Sequence, residues 1–347
     1  MAKTGYVYDP LYLLHDQPMH PENRTRLDAI VAHLQTTGLL DRLQQVPARD
    51  ATDEQITRVH QPHYVGEVKE WSVRGRRLDA DTYVTTQSYP AALRAAGGVV
   101  AAVDAVLSGE VDDAFALVRP PGHHAVAGGA MGFCLFNNVA IAARHALVAH
   151  GLSRVLIVDF DLHHGNGTQE AFYSEQEVLY FSSHQYPYYP GSGHWEDVGR
   201  GPGRGYTVNV PLPAGTGDAG FWRVFDEILV PIAQRYRPQL ILVSAGYDGH
   251  WMDPLGMMHL SVAGYVQITR ILASLARSEC DGRLVLALEG GYSLPALAHC
   301  VGAAFRVLLG DDECEDPFGP AQSREASVDE VLAAVKRTHG LALPGTG

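Results

Sequence analysis

Six short apolar runs, at 114–118, 155–160, 178–182, 206–210, 240–244 and 284–288, alternate with longer stretches whose apolar residues recur at helical spacing. The runs are rich in branched and aromatic residues and are bounded by Gly, Pro, Asp or Ser, as strands are. Their near-continuous hydrophobicity fits strands buried on both faces of a parallel sheet. Helical periodicity occupies 22–37, 90–108, 137–150, 221–236, 262–278 and 295–309, with a weaker helix at 328–337. This alternation predicts an α/β sheet with right-handed crossovers and helices on both faces. It is read as one domain over 1–347, with a core near 5–310 and a peripheral C-terminal segment at 311–347.

Four polar segments sit just after four of these runs: Arg119-Pro120-Pro121-Gly122-His123-His124, the stretch from Asp159 to Gly167, Ala245-Gly246-Tyr247-Asp248, and Glu289-Gly290-Gly291-Tyr292. Ligands of open α/β sheets bind outside the carboxyl ends of the strands. The four segments are therefore expected to meet at one edge of one sheet. Glycine-rich loops at 128–132, 191–205 and 215–220 are expected around the mouth of that site.

Asp161 and His163 lie two residues apart, which puts them on one side of an extended chain. With Asp248 they make three ligands and leave positions open, as a catalytic metal site does. An isolated Asp-x-His would more simply cap the helix that follows. Here Asp159, Asp161, His163, His164 and Asn166 crowd together after a buried strand, a costly cluster without a function. Zinc suits this donor set, and iron or another divalent ion stays open.

His123 and His124 follow a rigid Pro-Pro-Gly turn, and either could carry a proton between water and a leaving amine. Such a histidine needs a partner that sets its tautomer, and Asp159 and Asn166 are available. An Asp partner favours the imidazolium far more than an Asn does, so two differently partnered histidines could divide acid and base roles. Tyr292 could donate to a developing oxyanion, and Gly290 and Gly291 before it allow close approach of backbone. This inventory matches hydrolysis of an amide.

The net charge of −13 argues against a nucleic-acid surface and is compatible with a cationic substrate. The four cysteines form no C-x-x-C pair, which points to a reducing cytoplasm. No signal sequence is read at the N-terminus, and no run of about 18 apolar residues predicts a membrane span.

The motifs R-P-P-G-H-H-A, G-F-C-L-F-N-N, D-x-D-x-H-H-G-N-G-T-Q and E-G-G-Y together resemble the histone deacetylase family of zinc amidohydrolases, which includes bacterial deacetylase-like and acetylpolyamine amidohydrolases. The resemblance runs from His20-Pro21-Glu22 to Tyr292. It implies an arginase-like fold of about eight parallel strands. It implies Asp161, His163 and Asp248 as zinc ligands, and His124 as general base and then acid, oriented by Asn166. His123 with Asp159 would give electrostatic support, and Tyr292 would polarise the acyl carbonyl. Phe133, Gly132 and Tyr189 would wall a tunnel for an acyl-lysine stem, with Gly290 and Leu255 also facing substrate and Asp81 holding its backbone. A potassium ion would use Asp159, Asp161 and His163 with a loop at Ser182-Ser183, and a second cation Phe172, Val178 and Tyr206.

Asn166 and the Asn137-Asn138 pair resemble the class II branch and its bacterial relatives. Polyamine-selective relatives can carry Glu just after the Asp-Pro that follows the third ligand; here Leu255 follows Asp253-Pro254, which tilts the reading towards acyl-lysine. Acetylated polyamines, a non-catalytic acyl-lysine reader and, lowest, an arginase-like ureohydrolase are the competing readings. A homo-oligomer stays open.

Overall fold

The computed structural model describes residues 3–75, 77–311 and 313–342. Eight strands form one sheet: β1 Thr4–Val7, β2 Gln44–Gln45, β3 Asp113–Ala116, β4 Val155–Asp159, β5 Val178–Gln185, β6 Thr207–Leu212, β7 Leu240–Ala245 and β8 Leu284–Leu288. Their order is β2-β1-β3-β8-β7-β4-β5-β6, and every neighbouring pair is parallel. Every residue of β4, β5, β6, β7 and β8 is buried, as in a parallel sheet covered on both faces, including the polar second half of β5 and Asn209 of β6.

Two strands come from segments with no strand-like run. Thr4–Val7 and Gln44–Gln45 are too short to show a period, and β1 exists because it pairs with β3 on one side and β2 on the other. The helices Asp53–Thr57 and Pro62–Arg74 were likewise not expected. The predicted helix over 221–236 forms, but with a π-helical stretch at Phe225–Leu229 between Asp218–Val224 and Val230–Tyr236.

Helix Ser88–Leu107 is long and apolar enough, by length and composition alone, to cross a membrane, although Arg94 and Asp104 interrupt its apolar run. It packs instead against β1, β3, β8 and the helix Asn138–Ala149, and most of its residues are buried. A second helical group, Thr25–Thr36, Leu294–Leu308 and Val262–Glu279, packs side by side elsewhere on the sheet. The helix Asp329–His339 lies against the outermost strand β6, with Leu332 and Val335 buried and Lys336 paired to Glu227. An uncovered edge strand would offer unpaired backbone groups, and this helix limits that exposure.

The glycine-rich loop at 215–220 does not line the cavity described below. Its backbone packs on Glu325, whose carboxylate accepts from the N–H groups of Ala219 and Gly220.

Candidate active site

The strands β3, β8, β7 and β4 are consecutive in the sheet, and each of the four polar segments follows one of them. At their carboxyl ends lies a narrow cavity of about 100 Å³, lined by Asp81, Pro121, His123, His124, Gly132, Phe133, Asp161, His163, Tyr189, Leu255, Gly290 and Tyr292. A larger depression of about 620 Å³ lies among Arg154, Arg204, Arg235 and Tyr206, residues that precede strands rather than follow them. It has no cluster of catalytic side chains.

At the floor, His163 Nδ1 is 3.2 Å from Asp161 Oδ1 and 3.1 Å from Asp248 Oδ2. Tetrahedral zinc with ligand bonds near 2 Å would place its ligand atoms about 3.3 Å apart, so the spacing fits such an ion. The electrostatics fit as well. Burial raises the carboxyl of Asp248, and Asp161 beside it adds to the rise. Burial opposes charge on His163, yet its bonds to Asp161 and Asp248 raise it to about 9, because a proton then sits where two carboxylates need a cation. The other oxygens are committed: Asp161 Oδ2 accepts from Gly290 N at 2.8 Å and Asp248 Oδ1 from Leu162 N at 3.0 Å. A Cβ on Gly290 would lie 2.3 Å from Asp248 Oδ2, so only glycine allows this approach.

Asp104, His145 and His150 also lie within reach of a common ion. There the Gln55 amide accepts from Thr52 N through Oε1 and donates through Nε2 to His145 Nδ1. His145 then carries its proton on Nε2 and gives it to Asp104 at 2.7 Å, so that nitrogen is not a free ligand.

The two adjacent histidines have different partners. His123 Nδ1 donates to Asp159 Oδ2 at 3.1 Å, and the same oxygen accepts from Tyr180 Oη at 3.1 Å. Burial opposes the charge on His123, but Asp159 and Asp161 overcome it and raise the imidazole to about 10. His124 Nδ1 donates to Asn166 Oδ1 at 2.8 Å, while Asn166 Nδ2 donates to the His124 carbonyl at 3.4 Å. The amide is thereby oriented and the proton placed on Nδ1. Burial, then the charges of His123 and His163, hold His124 well below the ordinary imidazole range.

Tyr292 faces Phe133 edge-on at 5.9 Å, and burial pushes its phenol well above the usual value, so it stays a donor. Tyr189 stands edge-on to His124 at 5.2 Å and to His163 at 5.9 Å, and it lines the cavity together with Phe133. Gly132 and Phe133 both have positive φ, 54° and 69°. A Cβ on Gly132 would lie 2.3 Å from the His124 ring, and the strained φ of Phe133 brings its ring to the cavity. Asp81 reaches the lining, its carboxyl raised by burial and by Asp79.

Two expectations change. His164 leaves the crowd: its nitrogens bond to Ser192 Oγ and Gln169 Oε1, and it does not line the cavity. Ser182 and Ser183 are not in a loop but inside β5. Ser182 Oγ meets His184 Nδ1 at 2.8 Å, whereas Ser183 Oγ is buried without a hydrogen-bond partner among the described residues. Of the second cation set, Val178 opens β5, Phe172 ends the helix Asn166–Phe172 and the Tyr206 carbonyl accepts from Tyr180 N.

A supporting layer escaped the sequence reading. Glu22 is fully buried between Arg119 and Arg26. Arg26 donates to the carbonyls of Glu289 and Gly291, and its guanidinium lies 5.0 Å from the Tyr292 ring centre. Glu289 accepts from Gly122 N at 2.7 Å and Ser244 Oγ at 3.0 Å, tying the ends of β8, β3 and β7 together. The Glu22–Arg26 spacing of one helical turn was the only local signal of this network.

Residues 20–308 match the histone deacetylase domain. The chain is 44% identical over 294 residues to a probable deacetylase of Archaeoglobus fulgidus, covering 84% of this chain and 82% of that one. It is 41% identical over 339 residues to the polyamine deacetylase HDAC10 of Homo sapiens, covering 93% of this chain and 50% of the relative. The crystal structure of the HDA15 HD domain superposes with a TM-score of 0.90 at 37% identity, over 98% of this chain and 95% of the other. A deacetylase active site at the carboxyl ends of a parallel sheet is what these similarities lead one to look for, and the chain belongs to the histone deacetylase family.

Proposed function

We propose that this deacetylase removes an acetyl or related acyl group from the ε-amine of lysine, or from a similar N-acyl amine. The observation that carries this reading is the cavity itself, lined by Phe133 and Tyr189 together with His124, Asp161 and His163, with Asp248 bonded to His163 behind them. Aromatic walls suit a four-carbon aliphatic stem. Asp161, His163 and Asp248 would hold zinc, which when bound lowers the pKa of a coordinated water and polarises the acyl carbonyl. Potassium behind it would use Asp159, Asp161 and His163 with the Ser182-Ser183 stretch of β5, where Asp159 pairs with Ser182 across the sheet.

The chain's own groups supply the rest. His124, neutral and with its proton on Nδ1, presents Nε2 to take a proton from the attacking water and return it to the leaving amine. His123 keeps its charge on Asp159 and lends positive potential beside it. Tyr292 donates its phenolic proton to the carbonyl oxygen as negative charge develops there.

Acetylated polyamines are the second reading, and Asp81 favours it. This carboxylate at the cavity, with Asp79 beside it, could pair with a secondary ammonium. Leu255 favours lysine, because it offers no counter-charge. The test is amine release by the zinc-loaded protein from an acetyl-lysine peptide and from acetylated putrescine and spermidine, side by side. Higher kcat/KM on the peptide supports the lysine reading. Higher kcat/KM on the polyamines overturns it. Turnover of none of them, with zinc bound, overturns both.

A further inference from the structure

Asp253 lies in the loop after β7 and does not line the cavity. Its side chain is nonetheless buried, with 6% exposure, and its carboxylate is spent on backbone. Oδ2 accepts from Tyr292 N at 2.6 Å and Ser293 N at 3.0 Å, and Oδ1 accepts from Leu255 N at 3.0 Å.

Those bonds join two segments that reach the cavity from different strands. One follows β8 and carries Tyr292; the other follows β7 and carries Leu255. The far side of Leu255 is also held, since its carbonyl accepts from Tyr188 Oη at 3.1 Å. The Tyr188 ring in turn stacks on His163 at 5.7 Å. Pro254, between Asp253 and Leu255, has no N–H to compete for the carboxylate and restricts the turn. Three backbone N–H groups from the two segments converge on this one buried carboxyl, so it holds both segments at once.

We propose that Asp253 is a positioning residue that sets the distance between the Tyr292 phenol and the Leu255 wall. It acts on kcat through Tyr292 and on KM through Leu255. The proposal rests on the reading of Tyr292 as the group that polarises the carbonyl. A catalytic group displaced by about 1 Å can cost up to roughly 10²-fold in rate.

The test uses zinc-loaded wild type, Asp253→Ala, Asp253→Asn, Tyr292→Phe and Asp253→Ala/Tyr292→Phe, on whichever of the acetylated substrates above is turned over best. Zinc content and Tm are measured for each. Asp253→Ala is expected to keep its zinc and lose about 10-fold in kcat. In the Tyr292→Phe background the same change should cost less than about 2-fold, because residues acting as one unit are not additive.

Asp253→Asn addresses the case in which the alanine variant fails to fold. Its amide oxygen can still accept from Tyr292 and Ser293, but its NH₂ then faces the Leu255 N–H. KM should rise several-fold while kcat stays within about 3-fold of wild type. Equal kcat loss in both backgrounds, loss of zinc, or an asparagine variant with unchanged KM each overturns the proposal while leaving the role of Tyr292 intact. An unchanged kcat in Tyr292→Phe alone overturns that role and the proposal with it.

Discussion

The Nδ1–H of His124 donates to the amide oxygen of Asn166 at 2.8 Å. The partner is neutral, so it orients the ring without stabilising an imidazolium as a carboxylate would. Asn166→Asp should therefore raise the His124 pKa. The neutral, basic fraction at a given pH would shrink, and the acid limb of kcat/KM would move to higher pH. A pH–rate profile of the two proteins checks this, and an acid limb that stays in place would remove His124 as the base.

Leu255 is held on both sides, through its N–H by Asp253 and its carbonyl by Tyr188. A side chain substituted there should stay at the cavity wall. Leu255→Glu would place a carboxylate where a secondary ammonium of a polyamine passes. An ion pair worth about 1–2 kcal/mol corresponds to roughly 5- to 30-fold in relative kcat/KM. The ratio of acetylspermidine to acetyl-lysine activity should rise by that order. An unmoved ratio would show that substrate charge is read elsewhere.

Glu22 is the anion between two fully buried guanidiniums, Arg26 and Arg119. Glu22→Ala would leave both charges without their partner, which typically costs about 3–5 kcal/mol. It should also loosen the Glu289 and Gly291 carbonyls that Arg26 holds. Urea denaturation of the zinc-loaded variant measures the first effect. A loss below about 1 kcal/mol would mean that water or another group takes over the pairing.

Asp113, at the start of β3, has its carboxyl raised to about 7, chiefly by burial, with Asp112 adding to the rise and Arg277 opposing it. The unfolded value is about 3.9, so the folded state binds this proton more tightly. Its contribution to stability is full below about pH 4 and is lost as pH rises through 7. Asp113→Asn stays neutral throughout. Its Tm advantage over wild type should grow between pH 5 and pH 8. An advantage that does not grow would show that the carboxylate is solvated in the folded protein.

The apolar runs at 155–160, 178–182, 240–244 and 284–288 were readable as buried strands because a strand covered on both faces leaves no polar positions to confuse the pattern. The close pairing of Asp161 with His163 was readable from their spacing. What was not readable depends on contacts between distant segments. Thr4–Val7 and Gln44–Gln45 carry no period of their own and are strands only through their neighbours. His164 looks like its neighbour His163 in sequence, yet the chain turns it towards Ser192 and Gln169.

By itself, then, the sequence determined the α/β class, the membership that its motifs announce and the residue types available for chemistry, because these follow from local pattern and composition. Only the tertiary structure decided that β8 and β7 lie between β3 and β4, so that four loops converge on one cavity. It also decided that Asp253 joins the ends of β7 and β8, and that Glu22 lies between Arg26 and Arg119. The physical reason is the same in each case. A buried polar group must find its partner wherever the packed chain brings one, and that partner can lie far away in sequence, as Arg119 does from Glu22.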